Sequence, residues 1–112
     1  MQDKIDHLRQ QAVSPQGLFI DGRWQEAAEG RTMAVVSPID GRHLTTLAAA
    51  SAADVDRAVA GARNSFEKGI WAKAAPAERK KVLLKIAELI EKHALELAVL
   101  GVRDNGTEIS MA

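Results

Sequence analysis

The chain has 112 residues, of which 46% are apolar and 27% charged, which is typical of one globular domain rather than a disordered or fibrous protein. Fifteen basic side chains balance fifteen acidic ones, so no net charge would recruit nucleic acid or anionic lipid. The absence of cysteine excludes disulfides, thiolate metal sites and a thiol nucleophile, and it favours a reducing compartment such as the cytoplasm.

Residues 1–16 are predicted to form a helix followed by a short extension. Ile5, Leu8 and Ala12 recur at helical spacing, and the pattern ends before Ser14-Pro15. The charges in this segment argue against a signal peptide. No apolar run approaches the roughly 20 residues that a membrane-spanning helix needs, so we expect no membrane partner.

Residues 17–50 are predicted to form two β-hairpins. Apolar and aromatic residues flank Asp21-Gly22, which is typical of a two-residue hairpin loop, and a second turn is expected at Ser37–Gly41. The tetrapeptide IDGR occurs in both places with different neighbours, so we interpret it as two different turns rather than a repeat. We interpret Trp24 and Trp71 as anchors at the edge of a core. The strands are expected over Leu18–Ile20, Arg23–Gln25, Thr32–Ser37 and His43–Leu47.

Residues 51–112 are predicted to be helical. Ser51 and Asp54 have the spacing of a capping box, and Gly69 is a suitable stop for the first long helix. The second long helix is expected to start at Pro76, to bend near His93, to run to about Arg103 and to stop at Asn105-Gly106. The apolar face of the first long helix is expected to comprise Val55, Ala58, Val59, Ala62 and Phe66.

The second long helix carries apolar residues on more than one face, and four short strands offer little to cover it. This indicates that a partner chain, or more of the same polypeptide, packs on it. The predicted fold is therefore α+β within a single incomplete domain, with an N-terminal helix, two β-hairpins and two long helices.

Candidate chemical groups are few. His7, His43 and His93 lack the spacing of metal ligands and are interpreted as ordinary histidines. The basic run Arg79-Lys80-Lys81 is interpreted as a solvated helix face, with a phosphate-binding patch as the alternative. No glycine-rich nucleotide motif, P-loop or Ser/His/Asp group occurs. The sequence therefore assigns no catalytic and no cofactor-binding residue.

The order of these elements resembles the amino-terminal region of NAD(P)-dependent aldehyde dehydrogenases over residues 17–112. The parts that carry the resemblance are FIDGRW, VVSPIDG, DVDRAVAGAR, the Trp followed by PAER, LKIAELIE and DNG. SPIDGR and RDNGTEI are most similar to bacterial members acting on ω-amino or γ-glutamylated aminoaldehydes. The family pattern often has ETLDNGKP where this chain has GVRDNGTE, a departure that bears on the substrate.

The resemblance implies a parent enzyme that oxidises an aldehyde to a carboxylate with NAD or NADP. The family's nucleophilic cysteine, activating glutamate and nucleotide-binding strands lie later in its chain. We therefore expect these 112 residues to be a truncated or cleaved scaffold piece of a Rossmann-like α/β coenzyme domain, partnered by the remaining polypeptide or by self-association. The alternative is a free-standing, non-catalytic interaction module that uses its exposed apolar helix.

One family site has counterparts here. The resemblance implies that the main-chain carbonyl of Val36 and the carboxylate of Asp104 help to hold a monovalent cation, for which oxygen ligands are suitable. A carboxylate at the end of a helix is disfavoured without a positive partner. A cation, or a nearby arginine, would supply that partner.

Overall fold

The structure, a computed structural model, describes all residues from 1 to 112. The predicted α+β architecture is confirmed, with short two-stranded sheets between helical segments. β1 pairs with β2, and β3 pairs with β4. The elements are α1 (Gln2–Gln10), β1 (Leu18–Ile20), β2 (Arg23–Gln25), β3 (Thr32–Val36), β4 (His43–Ala48), α2 (Ala52–Lys68), α3 (Pro76–Lys92), α4 (Ala94–Asn105) and a terminal 3₁₀ turn (Ile109–Met111).

The first IDGR forms the tight hairpin that the sequence predicts. β1 and β2 are antiparallel, and Ile20 is paired with Arg23 across the loop. Asp21 and Gly22 both have positive φ, at 53° and 76°. Positive φ at both central residues defines a type I′ turn, whose twist matches that of the flanking strands.

The second IDGR closes a wider bend. The Gly41 N–H donates to the Ser37 carbonyl at 2.9 Å, and the Ser37 N–H donates to the Arg42 carbonyl at 2.8 Å. The Asp40 carboxylate accepts the Arg42 N–H at 3.0 Å, and this hydrogen bond lowers the Asp40 pKa. The prediction of two different turns from identical letters is confirmed.

Helix α2 begins with the predicted capping box and ends at the predicted glycine. The Ser51 side chain accepts the Asp54 N–H, while the Asp54 side chain accepts the Ser51 N–H. Gly69 is left-handed, with φ 72°, and its N–H donates to the carbonyls of Ser65 and Phe66. Such a bond satisfies carbonyls that the helix end leaves free.

The large residues of the apolar face predicted for α2 are exposed in the structure. Val55, Val59 and Phe66 are 53%, 62% and 63% exposed. The face that lies against the β1–β2 hairpin includes Gly61, where an added Cβ would lie 3.6 Å from the Asp21 Cβ. Small residues allow this close approach, and the large apolar stripe is left uncovered.

The predicted bend near His93 is a break between two helices. His93 has φ −107° and ψ 18°, so it separates α3 from α4. All residues from Lys80 to Lys92 are exposed. Helix α4 ends at Asn105, and the Gly106 N–H donates to the Val102 carbonyl at 2.8 Å, as the Asn-Gly pair predicts.

The chain divides into two compact units, each with very little apolar core of its own. In the first, Val99 is the single buried apolar residue, and in the second it is Ala27. Trp24 and Trp71 are 64% and 45% exposed, so their predicted place at the edge of a core is wrong. No helix is long and apolar enough to span a bilayer. The first unit comprises Met1–Ser14, Ala34–Thr45 and Leu84–Ala112, and the second comprises Pro15–Met33 and Thr46–Leu83.

Candidate functional site

The most deeply buried ionisable side chain is that of Asp54, which is 1% exposed. Its carboxylate accepts the Ala28 N–H at 3.0 and 3.1 Å and the Ser51 N–H at 2.9 Å. It also accepts the Ser51 hydroxyl at 3.0 Å and pairs with the Arg57 guanidinium. The carboxylate therefore fastens the loop at Ala28 to the first turn of α2.

These donors set the protonation state of Asp54. The Ser51 N–H lowers the pKa of the carboxyl most, burial opposes that effect, and Arg57 and Ala28 lower it further, to about 2. Hydrogen bonds to the ionised form favour it over the neutral acid. Because both oxygens are engaged, this carboxylate is a structural anchor rather than a free base.

The predicted cation ligands lie within one unit, on two segments that meet. Val36 ends β3, and Asp104 lies one residue before the end of α4. Near them, an added Cβ on Gly106 would lie 3.5 Å from the Pro38 Cγ, so the bend after β3 contacts the end of α4. The negative end of a helix dipole and a carboxylate both favour a cation at such a place.

The arginine alternative for Asp104 is not found. Asp104 makes no ion pair, and the neighbouring Arg103 contacts α1 instead. The Arg103 Nη1 donates to the carbonyls of Leu8 at 3.1 Å and Gln11 at 2.8 Å. These two bonds satisfy carbonyls at the C-terminal end of α1. The monovalent cation site stays a prediction.

Replacing Arg103 with Ala is expected to release α1 from α4. Two hydrogen bonds from a charged donor are lost, and one such bond is typically worth about 1.5–3 kcal/mol. We expect backbone amides of α1 to exchange with deuterium at least about tenfold faster. Arg9→Ala is the matched control, because the exposed Arg9 contacts only Asp6, at 3.9 Å. Unchanged exchange in the Arg103 variant would contradict the role of this contact.

Two of the three histidines lie closer together than their separation in sequence indicates. His7 and His93 line one groove of about 390 Å³, together with Asp3 and Glu96. The His93 Nδ1 lies 3.5 Å from a Glu96 carboxylate oxygen. No group of three or more His, Cys, Asp or Glu residues has the geometry of a metal site. The sequence pattern of α1 does not predict that His7 lies near His93, because their proximity depends on how α1 packs on α4.

The basic run at the start of α3 is partly neutralised by its own helix. The Lys81 Nζ lies 3.9 Å from Glu78, and the Lys85 Nζ lies 3.1 Å from Glu88. The four side chains of these pairs are all at least 65% exposed. This arrangement fits the interpretation of a solvated helix face.

Comparison with known proteins gives one consistent result. The model of the aldehyde dehydrogenase family matches residues 24–112. An aminoacetaldehyde dehydrogenase of Pseudomonas aeruginosa is 50% identical over 95 residues, which are 85% of this chain and 19% of that protein. The chain thus spans about a fifth of the length of the curated relatives it matches.

Solved structures agree with the sequence relatives. The crystal structure of γ-glutamyl-γ-aminobutyraldehyde dehydrogenase from Burkholderia cenocepacia superposes with a TM-score of 0.89 at 42% identity, covering 96% of this chain and 22% of that one. The AldA indole-3-acetaldehyde dehydrogenase of P. syringae, solved with NAD⁺, gives a TM-score of 0.84 at 39% identity, covering 94% and 21%.

Proposed function

The chain belongs to the aldehyde dehydrogenase family, and from this we propose that it is the amino-terminal scaffold of an enzyme that oxidises an aldehyde to a carboxylate with NAD or NADP. The observation that supports the proposal most strongly is the family match over residues 24–112. A solved relative in complex with NAD⁺ supports the choice of cofactor. Relatives named for amino and γ-glutamyl aminoaldehydes support a substrate of that class.

Within this proposal the 112 residues position other parts of the enzyme and carry no chemistry themselves. There is no cysteine to attack an aldehyde, and the buried carboxylate of Asp54 already accepts bonds on both oxygens. We propose no catalytic or cofactor-binding residue in this chain. The lack of cysteine also supports a cytoplasmic location.

A chimera tests the proposal. This chain would replace the matching amino-terminal segment of the P. aeruginosa aminoacetaldehyde dehydrogenase, and we refer to the product as the chimera. We expect aldehyde-dependent reduction of NAD⁺ by the chimera and none by the 112-residue chain alone. A folded chimera without this activity, or an active 112-residue chain, would contradict the proposed function.

We also propose that the Val36 carbonyl and the Asp104 carboxylate contribute ligands to a monovalent cation in the whole enzyme. A ligand that binds only the folded state stabilises it, by about 2.7 kcal/mol at 100 times its Kd. Potassium is therefore expected to raise the melting temperature of the chimera relative to a bulky organic cation at equal ionic strength. Asp104→Asn should remove most of that increase, whereas Glu108→Gln, at another exposed acid nearby, should retain it. If potassium raises the melting temperature equally in the Asp104 and Glu108 variants, Asp104 is not a ligand of the cation.

A second candidate function is favoured by the uncovered apolar side chains of α2, α3 and α4. In this reading the chain is a non-catalytic module that associates with itself or with another protein through those faces. Light scattering on the purified 112-residue chain tests it. A folded monomer at all concentrations would exclude self-association.

A further inference from the structure

Asn105 and Gly106, at the end of α4, form the one asparagine–glycine pair in the chain. Asparagine is chemically labile before glycine, because the glycine nitrogen can attack the asparagine side chain and no Cβ obstructs its approach. Both residues are exposed, so water reaches the amide group. The only other asparagine, Asn64, is exposed too, but it precedes Ser65 and lies inside α2. The chain thus contains a reactive pair and an internal comparison for it.

A hydrogen bond holds the Asn105 side chain close to the nitrogen that would attack it. The Asn105 Oδ1 accepts the Thr107 N–H at 2.8 Å. This bond folds the side chain back along the main chain, across the Gly106 nitrogen that lies between the two bonded residues. It also draws electrons away from the Asn105 Cγ, which is the atom that a nucleophile attacks. The side chain is therefore prepared for ring closure.

A second hydrogen bond opposes the reaction. The Gly106 N–H donates to the Val102 carbonyl at 2.8 Å, and Gly106 is left-handed, with φ 76°. The nitrogen cannot attack while its proton is held in this bond. The last turn of a helix opens more readily than its middle, and opening releases the nitrogen. At Asn64 the following N–H lies in the interior of α2 and is released less often.

We propose that Asn105 is a site of spontaneous deamidation, and that the hydrogen bond between Gly106 and Val102 sets its rate. When this bond opens, the Gly106 nitrogen forms a bond to the Asn105 Cγ. The bond between Cγ and the side-chain nitrogen breaks, and that nitrogen takes the Gly106 proton and leaves as ammonia. Water then opens the resulting succinimide ring at either carbonyl and yields aspartate or isoaspartate at position 105. Nothing is oxidised or reduced.

The reaction changes the end of α4. A neutral amide becomes a carboxylate beside Asp104, so two negative charges lie at the negative end of the helix dipole, where negative charge is disfavoured. The isoaspartate product also adds a methylene group to the main chain, which displaces Thr107 from its hydrogen bond to residue 105. Deamidation is therefore expected to loosen the C-terminal turn of α4.

Peptide mapping by mass spectrometry tests the proposal. The folded 112-residue chain and a synthetic peptide of residues 100–110 would be incubated together at neutral pH. We expect Asn105 to convert to aspartate and isoaspartate while Asn64 stays intact. The conversion should be at least about tenfold slower in the folded chain than in the peptide, because the helix end must first open. Conversion at Asn105 that is no faster than at Asn64, or equally fast in chain and peptide, would overturn the proposal.

Two glycine variants test the role of the hydrogen bond. Gly101→Ala strengthens α4 one turn before Asn105, because alanine favours a helix and no atom lies within 4 Å of the added Cβ. We expect this variant to slow the conversion of Asn105 by about threefold or more. Gly61→Ala adds the same methyl group to α2, where it meets the Asp21 Cβ at 3.6 Å, an ordinary contact, and should leave the rate unchanged. If both variants convert at the rate of the unmodified chain, opening of the helix end does not control the reaction.

Discussion

Replacing Asp54 with Asn is expected to detach the loop at Ala28 from helix α2. Asparagine keeps one acceptor oxygen, and its amide group replaces the other, so it faces either the Ala28 N–H and the Arg57 guanidinium or the N–H donors of Ala28 and Ser51. Leaving a buried donor without an acceptor costs more than the hydrogen bond itself contributed. We therefore expect a larger loss than the roughly 1 kcal/mol of a simple N-cap deletion such as Ser51→Ala. Hydrogen exchange at the Ala28 and Ser51 amides of the chimera measures it.

The Asp54 effect also has a defined pH dependence. The pKa of Asp54 in the folded chain, about 2, lies below the ordinary value of 3.8. At a pH between these two values the Asp54 carboxyl group therefore binds fewer protons in the folded chain than in the unfolded chain. Its contribution to stability is thus complete above about pH 4 and is lost as the pH falls to about 2. The difference in free energy of unfolding between the unsubstituted chimera and its Asp54→Asn variant should shrink as the pH falls from about 4 to about 2. If the difference in free energy of unfolding stays constant from pH 5 to about pH 2, the pKa of Asp54 is not lowered by folding.

The features that the sequence predicted well are those decided by neighbours along the chain. The turn at Asp21-Gly22 needs only two residues with positive φ. The side chains of Ser51 and Asp54 accept each other's backbone N–H groups within one helical turn. The stop at Gly106 depends on a single left-handed residue. Each can be recognised from a few residues because the paired residues are only three or four positions apart.

The features that the sequence did not predict depend on distant contacts. Ala28 and Asp54 are 26 residues apart, and Arg103 bonds Leu8 across 95 residues. No periodic pattern specifies such pairs. The proposed ligands Val36 and Asp104 came from family resemblance, since nothing local marks a main-chain carbonyl as a ligand.

The exposure of the apolar face of α2 has a particular physical cause. The stripe of Val55, Val59 and Phe66 has the period of a buried helix face, yet it is exposed. Within its own unit the helix is approached through Gly61, where the absence of a side chain allows close contact with the hairpin. A periodic apolar stripe predicts that a face is covered, but not by which segment.

Substituting Ala for Gly17 and for Gly101 is expected to change stability in opposite directions. A Cβ at Gly17 would lie 2.6 Å from the main-chain oxygen of Gln25, closer than van der Waals contact allows. Gln25 is held in register opposite Leu18, so the strands must separate to make room. Forcing extra atoms into a packed site typically costs about 1–3 kcal/mol. Gly101 lies within α4 with no atom within 4 Å of an added Cβ, so Ala there should gain up to about 1 kcal/mol.

Denaturant unfolding of the chimera and its two Ala variants measures both effects. The midpoint should fall for Gly17→Ala and rise for Gly101→Ala, with the denaturant dependence unchanged in each. The pair controls for the substitution itself, because both variants add one methyl group and remove the same backbone freedom from the unfolded chain. A Gly17 variant at least as stable as the parent would mean that β1 and β2 do not approach each other at this point. A destabilised Gly101 variant would mean that the polypeptide absent from these 112 residues packs against α4 at that glycine, on a surface that the chain alone leaves open.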